Sequence, residues 1–170
     1  DNAMVYASVT SGHRGGGYNL LFFSKTPTYD PEALLAYEFG YKTQWLDNAL
    51  QLNGSFYFYD YENIHTVATE VSAFFGTSTS VLAAPGAEIT GMEAELTWLA
   101  TDRLSVGGNF SYTPNEYSED LFILDPAGFD APASLFDAAT VQKNIKVNQL
   151  LQVPEKKFNG WVSHVTPLAS

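Results

Sequence analysis

The chain is 170 residues long and carries 8 Lys+Arg against 19 Asp+Glu, a formal net charge of −11, with 12 Phe, 10 Tyr, 3 Trp and no Cys. So acidic a chain has no positive face with which to displace phosphate counterions, which excludes a basic nucleic-acid module; the lack of cysteine excludes a disulfide scaffold, a Cys-built zinc site and a thiol enzyme. No run approaches the ~18 consecutive apolar residues of a spanning helix, and no basic stretch followed by an apolar core opens the chain, so neither a helical anchor nor a signal peptide is expected, and the strand-like start at Asp1 suggests a piece of something longer.

A weak strand is predicted from Met4 to Ser11. A long connection rich in Gly follows, over about 12 to 33. From Leu35 to Trp45 the odd positions are Leu35, Tyr37, Phe39, Tyr41, Thr43 and Trp45, and the even ones are Ala36, Glu38, Gly40, Lys42 and Gln44. That period of two marks a strand with two unlike faces. After Leu46-Asp47-Asn48 it resumes, with Leu50, Leu52, Gly54, Phe56 and Phe58 against Gln51, Asn53, Ser55, Tyr57 and Tyr59, so the two runs form a hairpin on a short turn. A long connection over about 64 to 86 leads to a third clear run, Met92, Ala94, Leu96 and Trp98 against Gly91, Glu93, Glu95 and Thr97. The chain turns at 100 to 103 into a fourth, Leu104, Val106, Phe110 and Tyr112 against Ser105, Gly107, Asn109, Ser111 and Thr113. A last long connection, 118 to 153, precedes a poorly alternating strand from about Lys157 to Val165. No helix longer than a turn is predicted.

Tight turns alternate strictly with the long, structureless connections, so every long loop leaves the same edge of the sheet. Structureless loops of this length argue against a compact domain, whereas short turns at one end and long loops at the other are the asymmetry of a bacterial outer-membrane barrel. Trp45-Leu46 and Trp98-Leu99, about 53 residues apart, each close a strand before a tight turn. They form either one girdle at a membrane interface or the aromatics that any sheet collects near its strand ends.

A soluble sandwich alternates in the same way, and three features separate the two. The runs are ten to thirteen residues long; a tilted bilayer-crossing strand needs about 9–11 and globular strands average about 5–6. The apolar face of the four clear strands carries no charge, as a lipid face requires at about 2–4 kcal/mol per mid-bilayer charge. A bare sheet with Leu, Phe, Tyr and Trp on one side would aggregate unless lipid covered it. About six strands cannot close a lumen when the smallest membrane barrels use about eight. The fold class is therefore all-β: an antiparallel meander forming a partial arc of a large transmembrane β-barrel. A soluble or surface β-sandwich that binds carbohydrate or protein stays open as the alternative, with a passive porin a nearer one; solubility without detergent separates the first, and energy dependence the second.

The segment VYASVTSGHRGGGYN, residues 5 to 19, followed by YDPEALLAYEFGYKTQWLDNALQLNGSFYFYDYENI, residues 29 to 64, resembles the barrel of TonB-dependent outer-membrane receptors. Gly91-Met92-Glu93-Ala94-Glu95-Leu96, LSVGGNFSYTPNEY at 104 to 117 and VPEKKFNGWVSH at 153 to 164 are similar to later strands of that barrel, in the same order. His13 stands where an aromatic is usual, His65 where Gln is common, and the connection over 118 to 153 is long. The resemblance implies an importer in the outer membrane of a Gram-negative bacterium. Its external loops would bind a scarce small molecule: an iron-siderophore complex first, a cobalamin or an oligosaccharide otherwise. Its partners would be outer-membrane lipid and the TonB complex, reached through a plug domain. The plug, the TonB-contacting segment and the remaining barrel strands are not among residues 1–170, so this piece alone is not expected to transport.

Little else in the chain has the spacing of chemistry. His13, His65 and His164 have no i, i+4 partner, so no metal site is expected. Glu93 and Glu95 project to one face about 7 Å apart; a carboxylate pair for hydrolysis is one reading, and lumen carboxylates facing Lys42-type partners across strands the better one. No nucleophile is placed with a base, so no catalytic residue, no cofactor and no enzyme activity are expected. Gly12 to Gly17 precedes no helix and so lacks the amide cradle of a phosphate loop. Arg14 and Tyr18 in that loop are the candidate ligand contacts, Arg for anionic groups and Tyr for stacking. Trp45 and Trp98 are the candidate membrane-interface aromatics. From Glu116 to Asp137 six carboxylates (Glu116, Glu119, Asp120, Asp125, Asp130, Asp137) occur without Lys or Arg; they lack calcium-loop spacing and read as a solvated acidic loop that disfavours anions.

Overall fold

The computed structural model describes residues 2–20, 26–72, 76–125 and 142–166. Its strands are β1 (Ala3–Arg14), β2 (Gly17–Tyr18), β3 (Thr28–Tyr29), β4 (Glu32–Trp45), β5 (Leu50–Ser72), β6 (Gly76–Thr101), β7 (Leu104–Tyr112), β8 (Asn115–Tyr117), β9 (Phe122–Leu124), β10 (Gln142–Asn144) and β11 (Lys156–His164). The six long ones form an antiparallel sheet in the order β1-β4-β5-β6-β7-β11, with β8 added beside β6. Each long strand therefore lies next to its sequence neighbour, the meander expected from the alternating turns. The two flanking strands are paired along their whole length, including β11, which matches β7 from Lys156↔Tyr112 to His164↔Leu104.

Both short turns are built by local chemistry. Leu46, Asp47 and Asn48 all take left-handed backbone angles (φ 55°, 52° and 70°), and the Ala49 N–H closes the turn on the Leu46 carbonyl at 3.0 Å. Asp and Asn tolerate that conformation, whereas Leu does not adopt it readily. At the second turn the Thr101 hydroxyl oxygen accepts from the N–H of Arg103 (3.2 Å) and of Leu104 (3.0 Å).

Glycines set the register. Gly40 lies directly opposite Tyr6, Gly54 opposite Tyr41, Gly91 opposite Tyr57 and Gly107 opposite Trp161. In each pair the ring lies over the glycine, where a methyl group would collide with it. Four of the five interfaces between long strands thus carry one aromatic laid across one glycine, a pairing that fills the gap a strand glycine leaves and penalises any slip of register.

All three of the expected long loops carry structure, the one over 12 to 33 holding the short β2–β3 pair. The connection expected over 64 to 86 is a continuation of the β5–β6 hairpin, paired from Ile64↔Ala84 to Ser72↔Gly76. At the rung where Asn63 takes a left-handed φ of 54° opposite Pro85, the inward-facing set changes parity. Tyr61, Ala87 and Ile89 on one side of that rung and Ile64, Leu82 and Ala84 on the other pack into one cluster. The described parts of the connection expected over 118 to 153 are likewise structured. They pair β9 with β10, and Tyr117, Leu121, Ile145 and Leu150 are buried against that cluster. The buried core sits at this loop end of the sheet.

Candidate functional site

The outer face of β1, β4, β5, β6 and β7 carries an apolar band. Trp45 opposes Leu50, Leu50 opposes Trp98, Trp98 opposes Val106 and Val106 opposes Val162, so both tryptophans stand on one rung. They are 56% and 43% exposed, and Val5, Val9, Tyr37, Phe39, Phe56 and Phe158 on the same face are also exposed. On β5 and β6 the first charges at the other end are Asp60 and Glu88, paired on one rung, with Glu116 opposite Glu88; at the β11 edge Lys156 stands on the same face, its ammonium over the Tyr112 ring. From Leu50 to Asp60 is ten residues; at a rise of about 3.3 Å and a tilt near 45° this spans about 23 Å. The height of a bilayer-facing band is about 25 Å.

The opposite face is polar. Lys42, Asn53, Glu95, Asn109 and Asn159 share one rung across five strands. The Asn53 amide donates to a Glu95 carboxylate oxygen at 3.2 Å, so an amide stands between Glu95 and Lys42, the cross-strand partner expected for it. Its own amide oxygen is buried without a partner. Glu93 lies two residues along β6 on the same face, opposite Ser55 and Ser111. Lys42, Lys157, Glu93, Glu95 and Tyr6 line a groove of about 400 Å³ on this face. The Tyr6 hydroxyl donates to Glu38 at 2.6 Å, Tyr57 stacks on Tyr59 with centroids 4.8 Å apart, and the Tyr57 and Thr113 hydroxyls are 2.9 Å apart. Hydroxyls, amides and spread charges make a wet wall.

At the loop end Arg14 and Glu32 face each other across β1 and β4. The guanidinium meets the carboxylate at 2.6 Å, and Glu32, its side chain only 15% exposed, also accepts the His65 backbone N–H at 2.7 Å. The Arg14 Nε–H donates to His65 Nδ1 at 2.9 Å, and His65 Nε2 lies 2.8 Å from the Asp30 carbonyl. With Nδ1 accepting, the neutral ring carries its proton on Nε2 and donates it to Asp30. Tyr29 meets the same imidazole edge-on at 4.8 Å. Arg14 is thus engaged by Glu32 and His65, while Tyr18, 77% exposed, stands free on β2 opposite Thr28. The sequence treats His65 only as a departure from a pattern, yet it is the hub of this network. Its partners lie 33 and 51 residues away, beyond any local pattern.

The remaining histidines are apart. His13 opposes Ala33 on β1, and His164 ends β11 beside the Thr166 hydroxyl at 3.2 Å. No group of His, Asp and Glu among the described residues is placed to hold a metal ion. In the acidic stretch Asp120 lies 3.9 Å from the Lys146 ammonium and accepts from Asn144 at 3.0 Å. Asp130 and Asp137 lie outside the described residues.

An antiparallel arc with an apolar band on one side, a polar wall on the other and its loops gathered at one end defines a piece of a membrane β-barrel. The model of the family "TonB dependent receptor-like, beta-barrel" matches residues 1–169, and the chain belongs to that family. Solved structures of similar fold include the ferric yersiniabactin uptake receptor FyuA from Yersinia pestis, with a TM-score of 0.66 and 17% identity over 99% of this chain and 21% of that one. The siderophore receptor PiuA from Acinetobacter baumannii matches with a TM-score of 0.62 and 17% identity over 96% of this chain and 22% of that one. The copper transporter OprC matches with a TM-score of 0.57 and 20% identity over 69% of this chain and 19% of that one. The chain spans about a fifth of the length of each.

Proposed function

We propose that this chain is part of the wall of an outer-membrane receptor in a Gram-negative bacterium, one that imports a scarce small molecule with energy delivered through TonB. A plug domain and further strands of the same protein would complete it. The observation that carries the reading is the apolar band of about 23 Å between the tryptophan rung and the Asp60–Glu88 rung, backed by a polar inner wall. A soluble sandwich would bury that band against a second sheet, whereas Val5, Phe39, Phe56, Leu96 and Phe158 of the band are left exposed here. We assign the chain transport and no catalysis.

For the ligand we propose a ferric siderophore. Of the similar structures one is a siderophore receptor and one a ferric yersiniabactin uptake receptor by name, and the loop end presents the exposed Tyr18 as a stacking group. The test is uptake of radioiron-labelled siderophores by the producing bacterium, with and without the gene and with and without TonB. Uptake lost in both deletions supports the reading. Uptake lost with the gene but indifferent to TonB makes the protein a porin. Unchanged uptake of every siderophore, with loss of copper, cobalamin or oligosaccharide uptake instead, overturns the ligand and keeps the receptor. Recovery of the protein in the soluble fraction overturns both.

A further inference from the structure

The connection between β1 and β4 does more than link two strands. Its described residues reach across β5 to the far edge of β6 and are tied there by one side chain, Asn19. Val81 opposes Val67 in the hairpin, and its own N–H and C=O point away from β5, toward an edge that no strand among the described residues covers at that rung. The Asn19 amide oxygen accepts the Val81 N–H at 2.8 Å, and its amide nitrogen donates to the Val81 carbonyl at 2.9 Å. The side chain therefore stands in for one residue of a neighbouring strand. The same nitrogen donates to the Thr26 carbonyl at 2.6 Å, and the Asn19 backbone N–H donates to the Pro27 carbonyl at 2.9 Å. A second tie lies two residues along the hairpin, where His65, opposite Ala83, holds the Asp30 carbonyl and the Tyr29 ring.

We propose that Asn19 is the fastener of a strap, a positioning residue that holds the 26–30 segment and the adjacent Tyr18 against the β5–β6 hairpin so that the two elements move as one unit. Only a primary amide offers a donor and an acceptor side by side, so no other small side chain meets both Val81 groups. A ligand contact made on Tyr18 is then passed to the hairpin, and one made on the hairpin to the strap. That consequence for capture rests on the receptor reading; the fastening itself does not.

The experiment is hydrogen–deuterium exchange on the complete outer-membrane protein in detergent, comparing the unaltered protein with Asn19→Ala and Asn19→Asp, with Leu50–Tyr59 as the control for an intact barrel. In Asn19→Ala, exchange over 26–30 and over 79–83 is expected to rise together by about tenfold or more. In Asn19→Asp the carboxylate still accepts the Val81 N–H but repels the Thr26 and Val81 carbonyls, so 79–83 stays protected while 26–30 loosens. A side chain that merely fills space would not separate the two segments in this way. Unchanged exchange over 26–30 in both variants, or a rise confined to 79–83 in Asn19→Ala, overturns the proposal. Should Asn19→Ala loosen Leu50–Tyr59 as well, spin labels at positions 28 and 69 give the second readout. Asn19→Asp is expected to broaden their distance distribution, and an unbroadened one overturns the proposal independently of any ligand.

Discussion

Phe56 offers the sharpest test of which face meets lipid. It lies opposite Phe39 and Met92 on the apolar side and is 53% exposed. It stands six residues from the tryptophan rung and four from Asp60, or about 14 Å and 9 Å along the bilayer normal at the rise and tilt used above. That depth is close to the midplane of the band. Phe56→Arg is therefore expected to destabilise the folded barrel in lipid by about 2–4 kcal/mol for the charge alone. Ser55→Arg, one residue away on the polar wall and opposite Glu93, is expected to cost less than about 1 kcal/mol. The assay is reversible urea unfolding of the complete protein in lipid vesicles, read by tryptophan fluorescence and by heat-dependent mobility on a gel. Equal costs for the two substitutions, or a larger one for Ser55→Arg, would mean that the band does not face lipid, and the barrel reading would fall with it.

Other substitutions probe the remaining arguments. Gly40→Ala places a methyl group against the Tyr6 ring and is expected to cost about 1–3 kcal/mol by overpacking, part of which the double variant with Tyr6→Ala should recover; urea midpoints of the single and double variants check it. Leu46→Gly relieves a left-handed backbone that Leu adopts at a cost and is expected to raise stability by about 1 kcal/mol, measured in the same way. Arg14→Gln removes the ion pair of a mostly buried carboxylate and is expected to quicken amide exchange at His65, whose N–H shares that carboxylate. Tyr18→Ala is expected to leave stability unchanged and to weaken binding of the imported ligand by about tenfold, read by titration calorimetry with the ferric siderophore that passes the uptake test.

The membrane strands were legible because each separates two solvents. Leu35 to Trp45 and Leu50 to Tyr59 alternate cleanly since one face meets hydrocarbon and the other water, and the short turn leaves only one register between them. β11 was harder because Trp161 lies on the polar side, where it covers Gly107 and spoils the alternation. The upper hairpin was illegible for a related reason. Beyond Asn63 neither face meets lipid, so Thr, Ala and Ser occur on both, and the parity change at the Asn63–Pro85 rung erases what pattern remains. The Arg14–Glu32–His65 network and the Asn19 tie join residues 18 to 62 positions apart. No spacing rule reaches contacts that topology alone creates.

The distribution of burial bears on where the stability of this segment comes from. Across the membrane-height part of the sheet the large side chains on both faces are exposed or half-buried, and the buried hydrophobics among the described residues are Ala84, Ala87, Tyr117, Leu121, Ile145 and Leu150, all at the loop end. The strands there satisfy one another's backbone groups, but their apolar side chains gain little from one another in water. Their share of the hydrophobic stabilisation has to come from lipid on one side and from closure of the barrel on the other. The loop end is different: β8, the β9–β10 pair and the upper hairpin enclose a small core of their own. The arc therefore depends on membrane and neighbouring strands for its shape, whereas the external cluster carries its packing with it. This division lets a barrel wall stay uniform while the loops above it are shaped to a ligand.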